Sequence, residues 1–191
     1  MSPILGIIAS SISGSISSSS FESIASYTLG SNTTTITFNS IPSTYASLQL
    51  RILSASTRAS SANLNIQVNS NTGTVYTRHE LNGDGTTATA SASTAGGVTT
   101  ASIARSTGGD SGSNIYAASI IDIQDYASTT KNKTMRSFFG INNNGLSTEN
   151  VTLRSVLYIG TDAITSLTLT SASSTNFLTG SVFSLYGIKG A

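Results

Sequence analysis

The chain has no cysteine, no tryptophan, two prolines and one histidine, and only 9% of its 191 residues are charged. Each scarcity excludes something. Without cysteine there is no disulfide framework, no thiolate nucleophile and no cysteine-bound metal. With a single histidine, the usual zinc ligand sets are out of reach as well. Nine Lys and Arg against eight Asp and Glu leave a net charge of +1. That balance offers no handle on a polyanion, so nucleic acid is not an expected partner. No run approaches the ~20 apolar residues of a membrane-spanning helix, so no membrane insertion is expected.

What the chain has instead is hydroxyls and amides. Ser (37), Thr (28) and Asn (14) fill 79 of 191 positions, and they must keep the surface wet in place of ions. The length still suffices for one sizeable core. From Phe21 onward the apolar pattern has period 2: Leu48, Leu50 and Ile52 alternate with Gln49, Arg51 and Leu53, and Leu64, Ile66 and Val68 with Asn65, Gln67 and Asn69. Such runs bury one face of a strand and wet the other. Similar vocabulary predicts strands at 34–38, 75–81, 115–124, 135–141, 151–159, 164–170 and 182–188. About nine or ten strands and no helix predict an all-β, antiparallel β-sandwich of the jelly-roll kind. Residues 86–113 are almost wholly Thr, Ala, Ser and Gly. They read as an exposed excursion with at most a weak strand at 98–103, and as a candidate tip for touching a partner.

The first ten residues are apolar, but no Lys or Arg precedes Arg51, so the basic region of a signal peptide is missing. Residues 11–20 are a Ser-rich stretch that reads as an extended linker. The expected layout is an anchor peptide and linker over 1–20 and a sandwich domain over 21–191. Pro3, Ile4, Leu5, Ile7 and Ile8 are the partner-anchoring residues of that reading.

Chemistry-bearing constellations are thin. Gly109-Asp110-Ser111-Gly112 matches the tetrad around the nucleophile of trypsin-like proteases. That chemistry needs a histidine base oriented by a buried aspartate, and His79 lies too close in sequence to Ser111 for such a two-barrel enzyme. Glu80, Asp84 and Asp122 are conceivable paired carboxylates for glycoside cleavage, but a sugar cleft without tryptophan platforms is unusual. Asp122 and Asp125 more simply cap a turn or pair with Lys131 and Lys133. No calcium loop of the Asp-x-Asp-x-Asp-Gly type occurs. Catalytic residues, metal and cofactor are all expected to be none.

Several strings carry a resemblance: Pro3-Ile-Leu-Gly-Ile-Ile-Ala-Ser10, Phe21-Glu-Ser-Ile-Ala25, Ile36-Thr-Phe-Asn-Ser-Ile-Pro-Ser-Thr-Tyr45 and Leu48-Gln-Leu-Arg51. Ile121-Asp-Ile-Gln-Asp-Tyr-Ala127, Lys131-Asn-Lys-Thr134 and Leu185-Tyr-Gly-Ile-Lys-Gly190 complete the set. In this order they resemble small virion structural proteins of tailed bacteriophages of marine and cyanobacterial hosts. The resemblance implies a tail-associated fibre or adhesin module, with a capsid decoration protein on the phage head as the alternative. It implies no catalytic residues. Other virion proteins, tail or capsid subunits, would be its partners, and host surface carbohydrate would be a further one. Few charges or prolines guard its strand edges, so a homo-oligomer, most simply a trimer, is expected.

Overall fold

Residues 20–143 and 149–190 are described by the structure, a computed structural model. They contain twelve strands: β1 (Phe21–Thr28), β2 (Thr35–Phe38), β3 (Ser47–Ser54), β4 (Ala62–Val68), β5 (Tyr76–Gly83) and β6 (Ala88–Val98) in the first half. The second half supplies β7 (Ala101–Ser106), β8 (Ala117–Gln124), β9 (Lys133–Ile141), β10 (Asn150–Tyr158), β11 (Leu167–Ser171) and β12 (Val182–Ile188). Among the described residues there is no α-helix, only two short 3-10 turns.

Eight of the strands pair first with last: β1 with β12, β2 with β11, β3 with β8 and β4 with β7, all antiparallel. That is one long hairpin rolled up on itself, the winding of a jelly roll. Pairings of β12 with β3 and of β11 with β4 join the turns of the roll into two sheets. The remaining strands, β5, β6, β9 and β10, extend one sheet only. The result is an eight-stranded sheet in the order β1-β12-β3-β8-β9-β10-β5-β6 packed on a four-stranded sheet in the order β2-β11-β4-β7. The predicted antiparallel sandwich is the fold.

Alternation explains the core. Leu48 and Leu50 of β3, Leu64, Ile66 and Val68 of β4, and Ile121 and Ile123 of β8 are all fully buried between the sheets. Buried tyrosines close the ends of the core while keeping their hydroxyls bonded. The Val68 amide donates to the Tyr76 hydroxyl (2.8 Å), and burial pushes the Tyr76 phenol up to about 12. The Tyr126 hydroxyl accepts from the Tyr45 amide (3.1 Å) and donates to the Pro42 carbonyl. Tyr45 itself lies over Gly187, where an added Cβ would sit 2.3 Å from the ring. Gly187→Ala is therefore expected to cost about 1–3 kcal/mol as an overpacked site, read as a lower midpoint in urea with an unchanged slope.

Two expectations need correction. Residues 86–113 are not a structureless excursion: β6 and β7 occupy most of the stretch, and the turn falls at Thr99–Thr100, inside the segment expected to be the strand. β6 is an edge strand bonded on one side to β5. It needs no large side chains, so its sequence carries no apolar period. The second correction concerns the turn after β8. Lys131 does pair with Asp125 (3.2 Å, both exposed). Lys133 pairs with no carboxylate among the described residues; it is fully buried, and its ammonium donates to the carbonyls of Ser128 (2.8 Å), Lys131 (2.6 Å) and Thr161 (2.9 Å).

Candidate functional site

The sequence-derived candidates do not converge. Ser111 is buried in a 3-10 turn whose neighbouring amides donate to the Arg58 and Ala59 carbonyls. His79 lies on β5, exposed on the outer face of the large sheet. Asp84 caps its own turn, accepting from the Thr86 amide (2.9 Å), the Thr86 hydroxyl (2.9 Å) and the Thr87 amide (2.6 Å). These bonds hold its carboxyl below the usual aspartate range. Asp122 accepts from Gln49 Nε2 (2.8 Å) on the outer face of β8. Glu80 points to the inner face of β5, three strands away, which at ~4.8 Å per strand is about 14 Å in the sheet plane. A glycosidase pair needs roughly 5–9.5 Å on one face, so Glu80 and Asp122 do not form one. Among the described residues no three His, Asp or Glu side chains group as metal ligands. Pro3, Ile4, Leu5, Ile7 and Ile8 lie outside the described residues.

Glu80 instead belongs to a polar cluster at the end of the inner face, next to β7. Arg154 of β10 is 4% exposed. Its Nε donates to Glu80 Oε2 (2.7 Å), its Nη1 to Ser102 Oγ (2.6 Å) and to the Ala104 carbonyl (3.3 Å). Its guanidinium lies 4.8 Å from the centre of the Phe139 ring. Burial lowers the Arg154 pKa to about 10, still charged at neutral pH. Burial also acts to raise the Glu80 pKa, but Arg154, together with the Ser91 hydroxyl and Arg78, outweighs it and leaves the carboxyl below the ordinary glutamate value. A depressed folded-state pKa contributes stability above the unfolded value of about 4.3 and loses it as pH falls through the folded value. The melting temperature is thus expected to drop below about pH 4, and Glu80→Gln to flatten that acid limb.

The exposed face tells a different story. Four strands cannot cover eight, and the outward side of the large sheet has no layer over it among the described residues. Leu53, Leu81, Ile120, Phe138, Val151 and Leu153 all point outward there, each 45–54% exposed. Register sets them in rows across the strands. One row runs Arg51, Ile120, Phe138, Leu153, Leu81, Ala90 over β3, β8, β9, β10, β5 and β6. The next runs Leu53, Ala118, Gly140, Val151, Gly83. The flanking row, Gln49, Asp122, Arg136, Ser155, His79, is polar. Half exposure of six large side chains amounts to roughly 500 Å², the upper range for the largest apolar patch on a monomer. Sequence reading assigned each strand one wet face and missed this band. The signals were the doublets Ile120-Ile121 and Phe138-Phe139, since adjacent large apolar residues in a strand supply both faces.

Comparison with protein families, with characterised proteins and with solved structures finds no match to this chain.

Proposed function

We propose that this chain is a bacteriophage virion structural protein: a tail-associated fibre or adhesin-type β-sandwich module, present in several copies and held to the particle through residues 1–20. The observation that carries the reading is the uncovered apolar band on the large sheet, a surface suited to contact rather than to chemistry. Three further features support it. The strings that resemble phage structural proteins span the chain from Pro3 to Gly190. The carboxylates that could have worked together are separated or engaged in turns and ion pairs. The remaining surface is solvated by Ser, Thr and Asn rather than by charge, as suits a subunit packed among others. Quantitative mass spectrometry of purified particles tests it. About six to a few tens of copies per particle support the tail module, since symmetric oligomers at a tail are few. Hundreds of copies move the protein to the head as a decoration subunit, and absence from the particle overturns the reading.

A further inference from the structure

The two outward rows of the large sheet are not equivalent. The first carries Phe138 on β9 and Leu81 on β5; two residues further along the same strands, the second carries Gly140 and Gly83. On these two strands a large side chain stands beside a hole, as Ile120 stands beside Ala118 on β8, while β10 carries a large residue in both rows, Leu153 and Val151. A Cβ at Gly140 would meet nothing nearer than 3.8 Å, and one at Gly83 nothing within 4 Å, so neither glycine is required by its own subunit's packing. Beyond the second row, at one rim, lie Asp84 and Glu149, while beyond the first Arg136 is the cation and stands directly opposite Asp122 on β8.

We propose that a second copy of this chain packs face to face on this sheet, across a two-fold axis that runs perpendicular to the strands between the two apolar rows. Such an axis lays the first row of each copy on the second row of the other. Phe138 then enters the hole at Gly140 of the second copy and Leu81 the hole at Gly83, while Leu153 between them packs on Val151 of the second copy. Both matches follow from one operation, as an isologous interface requires. The packing is that of two aligned sheets about 10 Å apart, the arrangement already used inside the subunit. Roughly 500 Å² of apolar surface with its polar rims approaches the ~800 Å² per partner of a standard interface. A net charge of +1 per copy sets up little repulsion between the two. A surface that matches itself closes at two copies, so this face does not build the trimer expected from sequence. The inference holds wherever the protein acts, and its test is separate from the particle count.

Sedimentation velocity at micromolar concentration decides it. The full chain is expected at twice its 19.5 kDa mass. Gly140→Val, whose Cβ meets nothing nearer than 3.8 Å within the subunit, fills the hole and is expected to give a monomer with an unchanged circular dichroism spectrum. Phe138→Arg should do the same, as should Leu153→Arg if the first variant fails to fold. Ile159→Arg alters a side chain exposed to 42% beyond the end of β10 and should leave the dimer intact. Phe138→Ala combined with Gly140→Leu exchanges knob and hole and should restore dimerisation that Gly140→Leu alone abolishes. A monomeric or trimeric wild type, or a dimer indifferent to Gly140→Val and Phe138→Arg, overturns the proposal.

Discussion

Lys133→Met is expected to lower the unfolding free energy by about 3–5 kcal/mol, measured by urea denaturation at neutral pH. The three ammonium protons of Lys133 meet three carbonyls at 2.6–2.9 Å, those of Ser128, Lys131 and Thr161, which matches its donor count. Ser128 and Lys131 belong to the turn between β8 and β9, and Thr161 to the loop after β10, so the side chain ties two loops at one end of the sandwich. Methionine fills the same channel but leaves the carbonyls facing one another without a donor. Burial pulls the ammonium below its ordinary pKa, opposed by the nearby Asp162 and Asp125 carboxylates, yet three short bonds to backbone carbonyls keep it in place. Lys131→Ala supplies the contrast. Its exposed pair with Asp125 is expected to be worth at most about 1 kcal/mol, so two lysines two positions apart should differ several-fold in effect.

The second large effect is expected at Arg154. Arg154→Ala should cost about 3–5 kcal/mol, the usual consequence of removing one member of a buried pair. Truncation leaves Glu80, Ser102 and the Ala104 carbonyl without the donor they now share and empties the space over Phe139. Glu80→Gln with Arg154→Met removes both charges together and should recover part of the loss, because no uncompensated carboxylate remains. A double-mutant cycle over these two positions measures the coupling, and an additive result would remove the pair from the list of what holds β5 to β10.

How much of this was legible in the sequence depended on side-chain size at each strand. β4 (Ala62–Val68) alternates large apolar with polar residues and buries the apolar set without exception, so its pattern and its structure coincide. β6 is built from Ala, Ser, Thr and Gly and is held by backbone bonds to β5; a strand that buries little leaves no period to read. β1 is likewise exposed along most of its length. Ion pairing was half legible. Asp125 and Lys131 lie six residues apart and find each other across the turn, while Lys133, two residues later, is turned inward by the alternation of β9 and meets carbonyls that no spacing rule would have named. Arg154 sits at a position whose neighbours Val151 and Leu153 suggest a wet apolar edge, and its burial comes from β7, Phe139 and Glu80 packed around it. The functional band was least legible of all. Ile120, Phe138, Leu153 and Leu81 come from four strands spread over 73 positions, from Leu81 to Leu153, and only register brings them into one row.

The self-matching face is tested most directly by one distance. The chain has no cysteine, so Ser155→Cys, on the polar row of β10, accepts a single nitroxide without competition. In the face-to-face dimer the two Cα atoms at position 155 lie about 23 Å apart, from a ~3.4 Å rise per residue and a ~10 Å sheet separation. Double electron–electron resonance should return one narrow distribution near that value, and Gly140→Val should abolish it. A trace without dipolar modulation in the labelled wild-type background, or a distance about twice as long, would contradict a two-fold axis between the rows of Phe138 and Gly140.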